Sequence, residues 1–221
     1  MGEEKTYGIL LKKTLLANDD AFLEFFTEEY GKIKLSVRKF GNSKKRKSEI
    51  DFFRLLEIGI FEGRNSKSLH SVSTLAVYSR FSGNLELSEK GFSWLGTLDK
   101  ILPEEKPTPI LFKTVCDLFQ HAEEKHAEHF DLFFQVVMLN FLGFLTRFDE
   151  VKGDCFFSPQ TFQFSPKPFP GGRKISNAAR QIIEFLRRSN FSEFYEKKEK
   201  LPPTSFLEVE GILEEIEKYH L

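Results

Sequence analysis

The chain has 221 residues and a formal net charge of −1, and 40% of its residues are apolar. This composition is typical of a soluble globular protein with a sizeable core. No segment reaches the roughly 18 apolar residues that a membrane span needs, and two cysteines are too few for a disulfide framework. We therefore expect a cytoplasmic protein that does not enter a membrane.

Three segments near the N-terminus predict β-strands, at 5–14, 21–27 and 32–38. The third alternates strictly between apolar and polar residues, which predicts one buried face and one solvent-facing face. Its outward set consists of Lys32, Lys34, Ser36 and Arg38. The exposed face of this strand is therefore expected to be basic.

Segments 52–61 and 69–78 predict two further strands, and turn-forming residues separate all five. Five short strands within about 75 residues favour a small closed barrel. We predict a five-stranded antiparallel OB-type β-barrel over residues 1–79, with a small SH3-like barrel as the alternative.

The pattern changes to helical spacing near residue 80. Helices are predicted at 88–102, 109–124, 127–144, 176–188 and 204–221, with Ser88 as the cap of the first and Ser176 or Asn177 as the cap of the fourth. Residues 147–175 are rich in Phe, Pro and Gly and predict an irregular insertion. The sequence thus predicts an α+β protein of two domains, the second of which, at 80–221, is all-α.

A basic loop joins the third and fourth predicted strands. Its basic residues, which no carboxylate interrupts, are Arg38, Lys39, Lys44, Lys45, Arg46 and Lys47. A run of charge is usually a solvated surface, and a basic tetrapeptide is also compatible with a nuclear-import signal. Because barrels of this type bind nucleic acids with a strand face and its neighbouring loops, we favour phosphate binding here.

Other candidate sites are weaker. His126 and His129 have a spacing that allows one shared metal ion, although a solvated polar turn explains them as well. Cys155 has neither a neighbouring base nor an obvious reason to be exposed, so we interpret it as structural. The sequence contains no phosphate-binding loop, nucleophile elbow or acidic nuclease cluster, and we expect a protein that is not an enzyme.

Three segments of the first domain resemble a known family. They are KTYGILLKKT at 5–14, FTEEYGKIKL at 26–35 with the basic loop that follows it, and LLEI at 55–58. Together with FFSP at 156–159, Gly171-Gly172 and a closing YHL, they resemble the RecO family of bacterial DNA repair proteins. The resemblance spans nearly the whole chain and is most specific at residues 5–58.

The resemblance implies a non-enzymatic recombination mediator of the RecF pathway, cytoplasmic and associated with the nucleoid. Such proteins bind single- and double-stranded DNA, anneal complementary strands, and with RecR help to load RecA on DNA coated by single-stranded DNA-binding protein, whose C-terminal tail they contact. By matching position, the resemblance implies a set of phosphate contacts. These are Lys34, Arg38, Lys39, Lys44, Lys45, Arg46 and Lys47.

This chain departs from the family in one respect. Many members carry a four-cysteine zinc module around the FFSP and Gly-Gly segments, whereas this chain has only Cys155 there. One thiolate cannot form a tetrahedral structural site. We therefore predict no zinc and no other cofactor.

Two other function classes compete with the mediator. In the first, the barrel is a protein-interaction scaffold whose basic face binds an acidic partner peptide. In the second, the protein is a metal-dependent nuclease, which would need a cluster of acidic residues that the sequence does not show. Salt dependence separates DNA binding from peptide binding, because phosphate contacts release counterions and apolar anchors do not.

Overall fold

The computed structural model describes residues 4–63, 66–124, 130–145, 153–197 and 203–220. The chain divides into two compact units, residues 1–127 and residues 128–221. The first unit contains the predicted barrel and the helices up to residue 124.

Within the described residues of the first unit, five strands close a barrel in the order β1-β2-β3-β5-β4. Their bounds are β1 Glu4–Leu15, β2 Ala21–Thr27, β3 Gly31–Val37, β4 Arg54–Glu62 and β5 Lys67–Val77. The predicted OB-type barrel is confirmed. The neighbouring strands pair antiparallel except β3 and β5, which are parallel and meet at the register pair Ser36 and Ser68.

The barrel core is built from the alternating inward residues of all five strands. On β3 the predicted alternation is confirmed, because Ile33, Leu35 and Val37 are buried. Two core residues come from the connection between β3 and β4 and not from a strand. Phe40 is 1% exposed and Ile50 is fully buried, so both ends of that connection are anchored in the core.

The connection between β3 and β4 was predicted to be a loop, but it contains the short helix α1, Lys44–Glu49. Ser43 has an extended backbone and caps the helix, because its hydroxyl oxygen accepts a hydrogen bond from the Arg46 N–H at 3.2 Å. The residues that follow Ser43 include Lys, Arg and Glu, which are favourable in helices. That local signal was present in the sequence.

Three helices complete the first unit: α2 Arg80–Gly83, α3 Leu85–Ile101 and α4 Pro109–Glu124. The fourth helix has the predicted bounds. The third begins before the predicted cap Ser88, because the Asn84 side chain accepts a hydrogen bond from the Leu87 N–H at 3.0 Å. Aromatic rings fill the space among these helices, and the Phe53 and Phe81 rings stack with their centroids 4.6 Å apart.

The second unit combines helices with a small sheet. Its described elements are α5 Phe130–Phe141, β6 Cys155–Ser158, β7 Gln163–Ser165, β8 Arg173–Ile175, α6 Asn177–Arg188, α7 Phe191–Lys197 and α8 Pro203–His220. The segment predicted to be irregular therefore contains a three-stranded antiparallel sheet, which unites residues far apart in sequence. Ser176 caps α6 as predicted, and its hydroxyl also donates to Glu208 at 2.6 Å.

Candidate nucleic-acid interface

Residues 38–47 form a basic cap over one end of the barrel. The cap is fixed at both ends. Phe40, near its start, and Ile50, directly after α1, are both buried in the barrel core. A side chain on a fixed backbone loses less conformational freedom when it binds a ligand. The backbone that carries the charges of the cap is therefore preorganised for binding.

The turn between β1 and β2 holds the cap by its backbone. The Asp20 carboxylate accepts a hydrogen bond from the Lys39 N–H at 2.8 Å, and the Asp19 carboxylate accepts one from the Asn42 amide at 2.8 Å. Gly41 packs so closely that an added Cβ would lie 2.7 Å from the Asp19 carboxylate. Both carboxylates therefore bond to backbone and amide groups of the cap and not to its basic side chains.

The C-terminal end of α1 receives basic side chains from the barrel. The Arg54 guanidinium donates to the carbonyls of Ser48 and Glu49, and the Lys13 ammonium donates to the Ile50 carbonyl at 3.2 Å. These groups satisfy carbonyls that a helix end leaves without partners. Arg54 thus adds positive charge beside the cap, whereas the Lys13 ammonium also lies 3.5 Å from the Asp51 carboxylate. Neither residue was among the predicted contacts.

The predicted contact residues are available to a ligand. Within the described ranges, the side chains of Lys34, Arg38, Lys39, Lys44 and Lys47 are exposed and form no ion pair with a carboxylate. The Arg46 guanidinium donates to the Arg38 carbonyl at 3.2 Å and is half-buried. Lys45 belongs to α1, but its side chain lies outside the described part of the chain.

Lys32, at the other end of β3, is in a different situation. Its ammonium lies 2.6 Å from the Asp99 carboxylate and 3.9 Å from that of Glu24, and only 13% of its side chain is exposed. The residue faces away from the barrel core, as the alternation predicts. Its charge is nevertheless neutralised within the protein.

A mixed-charge groove of about 500 Å³ lies beside the β3 face, and Lys34 is one of its lining residues. The other lining residues are Phe22, Glu24, Lys32, Ile33, Glu62, Gly63, Ser66, Lys67, Glu104 and Glu105. Among the lining residues that the structure describes, three lysines therefore face four glutamates. The structure brings the predicted contacts of residues 38–47 together in the basic cap and places Lys34 in this second, electrostatically balanced surface.

In the part of the chain that the structure describes, no group of three or more His, Cys, Asp and Glu side chains forms a metal site. His126 and His129, the candidate metal ligands, lie outside the described residues. Cys155 is buried, and burial raises the pKa of its thiol, which disfavours a reactive thiolate. No helix within the described ranges is long and apolar enough to cross a membrane.

Both parts of the chain match models of one protein family. A family profile described as Recombination protein O N terminal matches residues 1–79, and a profile described as Recombination protein O C terminal matches residues 94–221. Several curated relatives bear the name DNA repair protein RecO.

Three of these relatives show the extent of the similarity. The proteins from Geobacter sulfurreducens and Pelobacter propionicus are 25% and 27% identical over 59% and 65% of this chain. The Dehalococcoides mccartyi protein is 21% identical over 88% of the chain and 82% of its own length. The chain spans only 54% and 60% of the length of the first two relatives.

Proposed function

Because the chain belongs to the recombination protein O family, we propose that it is a recombination mediator that binds DNA through the basic cap. Membership of the family supports a role in DNA repair and recombination. The observation that carries the proposal is the cap itself. Its cations Arg38, Lys39, Lys44 and Lys47 are exposed and form no ion pair with a described carboxylate, and its backbone is anchored at both ends.

The cap is suited to a phosphate backbone. Lysine and arginine neutralise phosphates and release condensed counterions, which provides affinity without sequence preference. We propose Arg38, Lys39, Lys44, Lys45, Arg46 and Lys47 as phosphate contacts, with Lys34 as a further contact along β3. Phosphate contacts carry no information about the bases. We therefore propose that the cap binds single- and double-stranded DNA without sequence preference.

Neutralising two strands at one surface also reduces their mutual repulsion, which favours annealing of complementary strands. We further propose that the protein works with RecR and the C-terminal tail of single-stranded DNA-binding protein to help load RecA on coated DNA. These steps need binding and positioning and no bond chemistry, so the proposed mediator is not an enzyme. Its proposed place is the cytoplasm, in association with the nucleoid, and it is proposed to need no zinc or other cofactor.

The test is binding of a fluorescent single-stranded oligonucleotide, measured by anisotropy across a salt series. The variant replaces Lys44, Lys45, Arg46 and Lys47 by Ala. A control variant with the same change in net charge replaces Lys167, Lys174, Lys197 and Lys218, which are exposed in the second unit. Thermal unfolding checks that all three proteins are folded.

We expect the cap variant to bind more weakly and its log–log salt slope to become shallower by about two to three units, since single strands contribute about 0.7 per phosphate contact. The control should keep the slope of the original protein. If the two variants behave alike, net charge and not the cap governs binding, and the proposed site is wrong.

A second function has one specific observation in its favour. The Lys34 ammonium lies 4.7 Å from the centre of the Phe22 ring in the mixed-charge groove. A cation beside an aromatic ring suits an acidic peptide with an apolar end. The alternative proposal is therefore that the barrel is a scaffold for such a partner in place of DNA. Peptide binding that survives high salt, together with no DNA binding, would favour this function.

A further inference from the structure

An acidic strap, residues 103–107, follows α3 and runs along the free edge of β3. Glu104 pairs with Lys32 in an isolated parallel bridge, and the Glu105 N–H donates to the Lys32 carbonyl at 2.9 Å. Pro103 and Pro107 enclose these residues and restrict their backbone. The strap is therefore bonded to the strand edge and is not a loose connection.

The seat of the strap is closely fitted. Gly31 has a φ of +67°, and an added Cβ would lie only 2.0 Å from the Lys106 carbonyl oxygen. Glu105 itself has a φ of +53°, a conformation that residues other than glycine seldom adopt. Since the surrounding contacts hold this unfavourable conformation, the fold determines the position of the Glu105 backbone, while its side chain stays largely exposed.

The Glu105 carboxylate lies 2.6 Å from the Lys67 ammonium. Lys67 keeps 21% of its side chain exposed, whereas Glu105 keeps 62%. The ion pair is therefore open to water on the side of the glutamate. A second anion in the groove can compete for Lys67, because an exposed pair contributes little free energy that the competitor must overcome.

The strap supplies two of the four glutamates among the described lining residues of the groove. With Glu104 and Glu105, four described glutamates oppose three described lysines; without them, two glutamates remain. Asp99 already neutralises Lys32, so the described cations of the groove that a ligand can use are Lys34 and Lys67. These two would attract a phosphate only after the strap carboxylates have moved away.

We propose that the acidic strap is a built-in competitor for phosphate, in which Glu105 occupies Lys67 until a DNA strand displaces it. The proposal rests on the proposed function, because the strand is taken to enter from the basic cap. From Arg38 to Lys34 the path along β3 is about 13 Å, at about 3.3 Å per residue. A strand bound to the cap therefore reaches the groove within a few nucleotides.

The test compares single-site variants in binding of oligo(dT) of about 16 nucleotides, the upper site size for one OB fold. Glu105→Gln removes the competing carboxylate. Glu57→Gln is the matched control, since Glu57 forms a similar ion pair with Lys5 at 3.1 Å elsewhere on the barrel. Glu105→Asn is a second test, because Asn accepts a positive φ and should leave the strap seated.

We expect both Glu105 variants to bind about two- to fivefold more tightly than the control, the change that an exposed ion pair implies. Their salt slope should steepen by about 0.7, one additional phosphate contact. Lys67→Ala should abolish this gain in the Glu105→Gln background while changing the affinity of the original protein little. The same gain in Glu57→Gln, or no gain in either Glu105 variant, would overturn the proposal.

The cap variant of the previous subsection, measured with the same oligonucleotide, separates the two proposals. If the cap variant loses binding while Glu105→Gln equals Glu57→Gln, the strap proposal alone fails. If the cap variant binds normally, the proposed function fails. A strong loss for Lys67→Ala in the original protein would show that Lys67 is already free to bind, which also contradicts competition by Glu105.

Discussion

The two ends of β3 carry the same residue type in opposite electrostatic situations. At the end that leads into the basic cap, the exposed side chains of Lys39, Lys44 and Lys47 have no carboxylate partner among the described residues. At the other end, Lys32 is held by Asp99, and Lys67 across the mixed-charge groove is held by Glu105. Both regions are rich in lysine, but in the groove Lys34 alone among the described lysines is exposed without an ion pair, whereas in the cap this is the rule.

A count of basic residues therefore does not identify an anion-binding surface. The two regions differ in the groups to which the nearby carboxylates bond. Asp19 and Asp20 approach the cap but bond to its backbone and to Asn42, whereas Asp99 and Glu105 approach the groove and bond to ammonium groups. Four predictions test and sharpen this comparison, in order of decreasing effect.

Removing the anchor of the cap should have the largest effect. Phe40→Ala leaves a cavity in the barrel core and should lower the free energy of unfolding by about 3–5 kcal/mol. Phe92, 47% exposed on α3, provides the control, and Phe92→Ala should cost much less. Urea denaturation measures both. Equal losses would mean that the cap is not anchored through the core.

The lysines of the two regions should respond in opposite ways. Lys32→Ala leaves Asp99 without its partner in a mostly buried site and should cost about 1–3 kcal/mol of stability, less than a fully buried pair because water reaches part of it. Lys47→Ala should change stability by no more than about 0.5 kcal/mol. In DNA binding the order reverses, and only Lys47→Ala should make the salt slope shallower, by about 0.7.

A salt slope that falls equally in the Lys32 and Lys47 variants would remove the distinction between the two ends of β3. Unfolding curves and anisotropy titrations on the same preparations provide both readings. The comparison is internally controlled, because each substitution removes one positive charge and a side chain of the same length.

The helix within the cap depends on its N-cap. Ser43→Ala should cost about 1 kcal/mol and speed hydrogen exchange at the Arg46 amide, which loses its acceptor. Ser43→Asn should restore both, since asparagine caps as well as serine and adds no charge. Unchanged exchange at Arg46 in the alanine variant would show that tertiary contacts alone hold α1.

The smallest effect at neutral pH concerns a thiol in the first unit. Burial, together with the nearby Asp117 carboxylate, raises the pKa of Cys116 from 9.0 to about 12. Its folded pKa lies above the unfolded value, so its contribution to stability is complete below pH 9 and is lost as pH rises towards 12. Cys116→Ser should flatten this alkaline loss, and alkylation at pH 8 should be slow until the protein unfolds. Cys116 is half-buried, and rapid alkylation of the folded protein at pH 8 would contradict the raised pKa of its thiol.

The sequence predicted what depends on local pattern. The period-two alternation of β3, the bounds of β2 and α4, and the Ser176 cap are all local features, and each is confirmed. The position of the basic residues between two strands likewise followed from the order of the segments. Alternation fixes which way a side chain faces, because successive residues of a strand point to opposite sides.

Local patterns could not predict contacts between residues that are distant in the sequence. Lys32 was assigned to the exposed basic face, yet its partner Asp99 comes from the end of α3, 67 positions later. The strap and the three-stranded sheet of the second unit are likewise contacts between separated segments. By contrast, α1 carried a local signal in Ser43 that was missed because the density of charge suggested a loop. Which of the exposed residues touch DNA stays a prediction.

The single parallel pairing of β3 with β5 gives the barrel a seam. If that pairing breaks, the other ladders still connect β3-β2-β1-β4-β5 as one continuous antiparallel sheet. Local opening of the native protein should therefore begin between β3 and β5, because the least stable contacts open first. Among the described residues, two hydroxyls bridge this boundary: the Ser36 hydroxyl donates to the Lys67 carbonyl of β5, and the Thr74 hydroxyl of β5 donates to the Glu49 carbonyl of α1, both at 3.3 Å. Removing both hydroxyls should let β3 and β5 separate, so that the barrel opens into a curved sheet before it unfolds.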